Sequence, residues 1–289
     1  MDRKPDWLKK KINLNNININ QVKNLIDNSH LHTVCQSAKC PNIFECFGKK
    51  TSTFMLMGDI CTRNCSFCGV DSGKPEPLDK DEHYRVADAV KKMGLKYVVI
   101  TSVTRDDLSD GGAAHFADAV REVKKLNPES KVECLIPDFK GNIENLKILL
   151  REDPDVLNHN VETIKINYSR VRNKANYAES LSLLRRAKKI NSNIFTKSGF
   201  IVGLGESREE IKELLSDLKD AGCDIITIGQ YLRPSSENVE VSKYYTPQEF
   251  KELKNLAESF KFKVVVSGVF VRSSYNAGIV LDKILKKKR

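Results

Sequence analysis

The chain has 289 residues, with 48 Lys plus Arg against 38 Asp plus Glu and a formal charge of +10. Hydrophobic residues make up 40% and charged residues 30%, which is the balance of a globular protein and not of a disordered one. No apolar run nears the ~18–20 residues of a membrane span, and the opening MDRKPDWLKKK lacks the apolar stretch of a secretory signal. A membrane protein and an exported protein are therefore not expected. At roughly 150 residues per domain, the length allows one large domain or two small ones.

In chain order the sequence falls into three sections: 1–50, 51–262 and 263–289. The first is polar and rich in Asn and Lys, with a short apolar pattern at Val22, Leu25 and Ile26. In the second, short β-branched runs predict strands at 53–57, 97–103, 131–136, 156–163, 194–202 and 224–229, with amphipathic segments between them. Ile211, Leu214, Leu215 and Leu218 recur at helical spacing over 207–221, and Gly222 follows where a helix stop is expected. Ser207 with Glu210, and Thr246 with Glu249, match the capping box, and Pro247 occupies the first helical position of the second. The third section carries one further apolar run and ends in Lys-Lys-Lys-Arg.

Strands that alternate with helices predict right-handed βαβ units and a parallel sheet. Six units are too few for a closed eight-stranded barrel, so the α/β chain is expected to form a partial barrel or an open doubly wound sheet. In either, the site lies at the carboxyl ends of the strands.

Eight cysteines are too sparse for a disulfide scaffold, but six of them fall between Cys35 and Cys68. With no export signal the compartment is expected to be reducing, and clustered thiols then point to metal or redox chemistry. Cys61, Cys65 and Cys68 form a C-x3-C-x2-C triplet in the loop after the first predicted strand. Three thiolates can hold a 4Fe–4S cubane and leave one iron open to a small molecule. Zinc is the alternative; it needs a fourth ligand, the nearest histidine on that side is His83, and the spacing matches neither usual paired zinc pattern. Cys35, Cys40 and Cys46 form a second triplet, C-x4-C-x5-C, again one ligand short. Cys134 and Cys223 lie within or beside predicted strands, where a cysteine is more often a small buried hydrophobe than a ligand.

The second-strand loop, the first triplet and the distant motifs carry a resemblance. C-x3-C-x2-C after the first strand of a β/α chain resembles the radical S-adenosylmethionine superfamily. Gly199-Phe-Ile-Val-Gly203-Leu-Gly-Glu206 is similar to its G-x-I-x-G-x-x-E motif near the adenine, and Thr101-Ser-Val-Thr-Arg105-Asp-Asp stands where the superfamily holds the methionine amine. The stretch 31–46, Gly58–Cys68, Lys4-Pro-x-Trp7-Leu, 101–113, 156–163 and Arg272-Ser-Ser-Tyr275 narrow the likeness to the lipoyl synthase family, over nearly the whole chain and in order. Two positions depart from the family pattern: Phe47 follows Cys46 where Trp is common, and Asn276 follows Tyr275 where His is common.

This resemblance implies a partial (β/α)6 parallel barrel over 51–262, an N-terminal extension over 1–50 carrying an auxiliary cluster, and a C-terminal extension over 263–289. It implies two 4Fe–4S clusters and S-adenosylmethionine as cofactors. One cluster would sit on Cys61, Cys65 and Cys68; the auxiliary one on Cys35, Cys40, Cys46 and the second serine, Ser274, with Ser273 as the competing residue and plain turn hydrogen bonds as the ordinary use of such a pair. Thr101, Arg105, Asn160, Gly203 and Glu206 would contact S-adenosylmethionine, and Arg272 would hold Ser274. For His159 a hydrogen-bonded packing role stands beside a cofactor contact, and His30 and His32 are expected to support the loop.

The activity implied is insertion of sulfur at C6 and C8 of a protein-bound octanoyl-lysine, at carbons whose C–H bonds no side-chain base can deprotonate, with the auxiliary cluster as sulfur source. Partners implied are an octanoylated carrier (a lipoyl domain or glycine-cleavage H protein) and a low-potential electron donor, in the cytoplasm. The positive charge suits acidic carriers. It would also suit nucleic acid, but no RNA-binding motif accompanies the basic 286–289 tail, and nucleic acid is not an expected partner. The alternatives are another dual-cluster radical sulfur-inserting enzyme and, in a different class, an iron–sulfur electron carrier.

Overall fold

The computed structural model describes residues 5–10 and 16–286, the side chain of Lys286 excepted. Lys4, the Asn-rich positions 12–15 and the basic 287–289 lie outside the described residues. Eight strands form one sheet in the order of the sequence. They are β1 (His32–Thr33), β2 (Thr53–Leu56), β3 (Tyr97–Ser102), β4 (Lys131–Leu135), β5 (Val156–Asn158), β6 (Phe195–Val202), β7 (Ile225–Gln230) and β8 (Val264–Gly268). β1 runs antiparallel to β2, and β2 to β8 are all parallel. Among the described residues β8 does not pair back to β1, so the sheet is open, a partial barrel.

All six predicted strands are present as β2 to β7, and the apolar run of the tail adds β8. β5 is the main difference, ending at Asn158 where the β-branched run predicted an extension to residue 163. Beyond Asn158 the ladder is broken: Glu162 takes a left-handed backbone (φ 64°) and pairs with Phe200 only as an isolated bridge. The segment stays tied to β6 by the His159 and Glu162 backbone, but the break in the ladder lets His159, Asn160 and Glu162 line the carboxyl end of the barrel.

The helices follow their predicted signals. Both capping boxes close, Ser207 with Glu210 before the helix Arg208–Asp220 and Thr246 with Glu249 before Pro247–Ser259. The periodic residues Ile211, Leu214, Leu215 and Leu218 are all buried, and Gly222 takes the left-handed backbone (φ 78°) that ends the first of these helices.

Both ends of the chain are built into the barrel. Ile19, Val22 and Ile26 of the helix Ile17–Asn28 pack into the same core as Phe54, Val98 and Val132 of β2 to β4. Phe47 joins that core, so the Phe-for-Trp departure keeps its packing. The helix Ala277–Lys286 places Val280, Leu281 and Ile284 against Val156, Phe195 and Ile225, at or near the starts of their strands, and so plugs the end of the barrel opposite the site. Above the plug, Glu133 and Lys197 form a fully buried ion pair inside the barrel (2.8 and 3.0 Å).

The carboxyl end of the barrel is crossed by the segment that follows β8. Gly229 makes the crossing possible, because a Cβ there would stand 2.2 Å from the Val271 carbonyl oxygen. Gly229→Ala should therefore overpack this contact, cost about 1–3 kcal/mol and lower the melting temperature. It should also displace the segment carrying Ser273 and Ser274, which would register as changed protease sensitivity near residues 271–275.

Candidate active site at the carboxyl end of the barrel

The first cysteine triplet is carried by the loop between β2 and the helix Glu82–Met93. The chain leaves β2 through two left-handed residues, Met57 (φ 68°) and Gly58 (φ 86°). The loop is then tied to three other parts of the molecule. Thr62 N–H donates to the Thr104 carbonyl (3.0 Å), Ser66 N–H to that of Val171 (3.0 Å), and Asn238 Nδ2 to that of Cys68 (2.8 Å).

The strongest tie is Arg63, which lies between Cys61 and Cys65. Its guanidinium bonds Asp106 through Nε (2.7 Å) and Nη2 (3.0 Å), and Asp138 through Nη1 and Nη2 (2.7 Å each). One planar fork thus holds two carboxylates, from beyond β3 and beyond β4, a geometry open to Arg and not to Lys. Burial works against the Arg63 charge, but the bonds from Asp138 and Asp106 outweigh it and push its pKa up. Burial likewise works against an ionised Asp138, and Arg63 overcomes it, holding the carboxyl down at about 2.

The second triplet lies on and between two short helices. Cys35 sits in Val34–Ser37, where Thr33 Oγ1 accepts from Gln36 N–H, and Cys46 sits in Ile43–Gly48. Cys40 is placed between them by its N–H bond to the Cys35 carbonyl (3.0 Å). Glu45, beside Cys46, accepts from Lys10, Lys49 and Tyr275, and these hydrogen bonds, that of Lys10 first, hold its carboxyl at about 2.

Both triplets face the same space. A cavity of about 580 Å³ at the carboxyl end of the barrel is lined by Cys61, Cys65 and Cys68 on one side and by Cys35, Cys40 and Ser274 on the other. A second cavity, of about 460 Å³, is lined by Cys35, Cys40, Cys46 and Ser274. Ser274 therefore borders both, whereas Ser273 borders only the first. The two serines differ in bonding too. Ser273 Oγ accepts from Asn158 Nδ2 (2.6 Å) and donates to Asn160 Oδ1 (3.1 Å), while the Ser274 hydroxyl has no hydrogen bond among the described residues.

The polar wall of the larger cavity includes Thr101 and Asn160, both expected there. Arg105, Gly203 and Glu206 do not line it. The Arg105 guanidinium is turned onto Asp107 (2.9 and 3.0 Å) and the Met57 carbonyl, and the Glu206 carboxylate accepts from the backbone N–H groups of Gly203 (2.6 Å) and Leu204 (2.9 Å). These residues shape the loops behind the wall; from the same motif, Gly199, Phe200 and Ile201 reach it. Gly199 is needed bare, since a Cβ would meet Thr227 Oγ1 at 2.4 Å and Asn160 Oδ1 at 3.0 Å.

Arg63, Asp138, Glu162 and Arg172 also line the cavity and were not singled out from the sequence. Burial pushes the Glu162 carboxyl up, against the charge of Arg172 and a hydrogen bond from Asn160. His159 donates from Nδ1 to the Ile136 carbonyl (2.8 Å), which can only accept, so Nε2 carries the free lone pair; it has no partner among the described residues. Arg272 bonds the Val271 carbonyl (2.7 Å) and borders both cavities. His83 packs against Tyr84 and His115, His32 stands 3.8 Å from Asp59, and His30 is exposed with a left-handed backbone; none of the three lines the cavities. Cys134 and Cys223 are buried in the core.

All eight cysteines are free thiols. Among the described residues no three His, Cys, Asp or Glu are arranged to hold a single metal ion. The six clustered thiols border cavities instead, an arrangement that fits a body larger than one ion. Burial pushes the Cys35 and Cys68 thiols up to about 12 and Cys46 to about 11, and raises Cys65. Thiols so placed are poor anions by themselves, and become thiolates when a metal supplies the compensating charge. Soft sulfur donors in threes around such a space fit iron–sulfur clusters.

The fold and this donor set define a radical S-adenosylmethionine protein. The sequence pattern of the Radical SAM superfamily matches residues 55–218, more than half of the chain. Solved structures with the same fold include methylornithine synthase (TM-score 0.55, 15% identity, covering 89% of this chain and 84% of that one) and the hydrogenase maturase HydG (TM-score 0.62, 13% identity, covering 86% and 63%).

Much nearer in sequence are the lipoyl synthases of Caldicellulosiruptor saccharolyticus, 54% identical over 95% of this chain and 96% of that one, and of Caldanaerobacter subterraneus subsp. tengcongensis, 53% identical over 97% and 98%. The chain belongs to the lipoyl synthase family.

Arg63→Ala should leave Asp106 and Asp138 facing each other without their cation, at a cost of ~3–5 kcal/mol. Arg63→Lys should recover only part of that loss, because an ammonium cannot bridge both carboxylates. Denaturant midpoints of the three proteins would measure the order.

His159 gives a pH dependence of known sign. Burial, and then the charge of Arg172, push its pKa from 6.5 down to about 4. The unfolded chain therefore binds a proton that the folded one refuses. Stability is complete above pH ~6.5 and falls as the pH drops toward 4, by about 3 kcal/mol. His159→Gln should flatten this slope between pH 7 and 4.5 in denaturation midpoints, while the Asp138 contribution appears only at lower pH, as the carboxyl titrates toward about 2.

Proposed function

We propose that this chain inserts two sulfur atoms, at C6 and C8, into an octanoyl group carried on a protein lysine, making a protein-bound lipoyl group. The observation that carries the reading is the meeting of two cysteine triplets and one serine around a shared space, five of the six thiols on the wall of one cavity. Neither carbon is acidic enough for a side-chain base, so the chemistry belongs to cofactors and the chain supplies binding and orientation. When bound, a cluster on Cys61, Cys65 and Cys68 would supply the electron for reductive cleavage of one S-adenosylmethionine per C–H bond broken, with methionine and 5′-deoxyadenosine as by-products, and the auxiliary cluster would supply both sulfur atoms.

In this reading Cys61, Cys65 and Cys68 hold one 4Fe–4S cluster, and Cys35, Cys40, Cys46 and Ser274 hold the other. Thr101, Asn160 and Glu162 offer hydrogen bonds and charge to S-adenosylmethionine from the polar wall. Phe200, Ile201 and Leu232 line the cavity beside it and suit an alkyl chain. Residues 1–50 act as the auxiliary-cluster extension, 51–262 as the radical core and 263–289 as the extension carrying Ser274. A lipoyl domain or glycine-cleavage H protein is the carrier, and a low-potential donor supplies the electrons. The net charge of +10 and the Lys39 and Arg233 side chains on the cavity lining favour an acidic carrier. The reaction is assigned to the cytoplasm; separately, no helix among the described residues is long and apolar enough to cross a membrane.

Cys65→Ala should abolish cleavage of S-adenosylmethionine, whereas Cys40→Ala should keep cleavage and lose sulfur insertion. The measurement is an anaerobic single turnover on an octanoyl-lysine peptide, followed by chromatography for 5′-deoxyadenosine and mass spectrometry of the peptide. Equal loss of cleavage in two folded variants would overturn the division between the triplets. Absence of both products from wild-type protein holding both clusters would favour an electron carrier.

A further inference from the structure

The segment Arg272-Ser273-Ser274-Tyr275 is fixed on both sides of Ser274 and free at Ser274 itself. On one side, Ser273 Oγ accepts from Asn158 Nδ2 (2.6 Å) and donates to Asn160 Oδ1 (3.1 Å). Asn158 is held in turn from inside the barrel. Its other Nδ2 hydrogen goes to Glu133 Oε1 (2.7 Å), and the Glu133 carboxylate also takes Lys197 Nζ (2.8 and 3.0 Å) and the Tyr97 hydroxyl (2.5 Å). A carboxylate can only accept, so the Asn158 amide nitrogen must face it, and the direction of the whole chain of bonds is set. On the other side, Tyr275 Oη donates to Glu45 Oε1 (2.8 Å), and Glu45 adjoins Cys46. Lys10 and Lys49 hold the same carboxylate.

We propose that Ser273 and Tyr275 are positioning residues that bracket Ser274, tying it to the barrel interior through Asn158 and to the second triplet through Glu45, so that its hydroxyl is presented to the auxiliary site. The proposal rests on the reading of Ser274 as a ligand of that site. It assigns the two neighbouring hydroxyls a different task from Ser274. Their hydrogen-bonding capacity is spent on the protein, and that of Ser274 is left for the metal. The buried Glu133–Lys197 pair, which no cofactor contact requires, becomes the fixed point from which the bracket is hung.

The test uses full-length protein reconstituted with both clusters, in four forms: wild type, Ser273→Ala, Tyr275→Phe and Ser274→Ala. Iron is withdrawn anaerobically by a chelator, and the rate is followed separately for the two clusters by Mössbauer and electron paramagnetic resonance spectroscopy. Ser273→Ala and Tyr275→Phe should each speed iron loss from the auxiliary cluster by roughly threefold to tenfold, the factor that one hydrogen bond is worth. Loss from the Cys61/Cys65/Cys68 cluster, and the melting temperature of the cluster-free chain, should hardly change. Ser274→Ala should exceed either.

If Ser274→Ala speeds the loss while Ser273→Ala and Tyr275→Phe behave as wild type, the bracket is wrong and the ligand stands. If Ser274→Ala itself changes nothing, the ligand reading fails and the bracket with it. Equal acceleration at both clusters would make the two hydroxyls general supports of the fold and overturn the proposal. Tyr275→Phe keeps the aromatic ring, and decides the question should Ser273→Ala fail to fold.

Discussion

The site depends on one close approach, that of the Val271 carbonyl to the bare backbone of Gly229. Residues 35–46 and 61–68 are near neighbours in sequence and flank the same strand, so their meeting needs little explanation. Ser274 is more than two hundred residues away, and reaches them only because the chain after β8 turns back across the barrel mouth. Any side chain at position 229 would stand in that path. The helix that follows then plugs the opposite end of the barrel, burying Val280, Leu281 and Ile284. One C-terminal segment thus closes the core at its base and completes the wall of the cavity at its top. The apolar burial of the helix, at about 1.5–3 kcal/mol for each large side chain, helps hold the crossing in place.

Charge burial is concentrated where position matters most. Arg63 is nearly inaccessible, as is Asp138, and Glu133 with Lys197 are fully so. Such pairs are weak sources of stability, since desolvation offsets most of their attraction, but removal of one partner is severe. Their value here is geometric. Arg63 allows the loop of the first triplet one arrangement against the ends of β3 and β4. Glu133 collects Lys197, Tyr97 and Asn158, and thereby orients the amide that reaches the barrel mouth. A core filled with Leu and Val would pack as tightly without fixing which way Asn158 points.

The cysteines, the capping boxes and six of the strands were legible because each is a local pattern of spacing or period. What escaped was set by distance along the chain. Nothing near Arg63 indicates that its partners lie 43 and 75 residues on. Arg105 and Glu206 are a local case instead, since Asp107 and the Gly203 and Leu204 amides, two or three residues off, engage side chains that were expected at the cofactor. In the sequence β5 reads past its true end because Val161 and Thr163 continue the β-branched character of the run after the ladder has stopped at Asn158. Between Ser273 and Ser274 two identical neighbours offer no choice by themselves, and the resemblance alone favours Ser274; the hydrogen bonds that engage Ser273 agree with that preference.

The two cysteine triplets are tied into the protein in different ways, and the proposed chemistry accounts for the difference. A cluster that serves every turnover should keep its ligands. Its loop is bound to Thr104 just beyond β3, to residues 170–171 and to residue 238, and Arg63 locks it with four charge-assisted hydrogen bonds. A cluster that gives up sulfur should be easier to take apart. Two of its thiols stand on helices of four and six residues and the third lies between them, and the fourth ligand proposed for it is a hydroxyl, a harder and weaker donor to iron than thiolate. A weak ligand is useful only if it stays in register while the metal leaves. Holding Ser273 and Tyr275 firmly and leaving Ser274 unbonded would achieve that, because the position is then kept by its neighbours and not by the bond that must break.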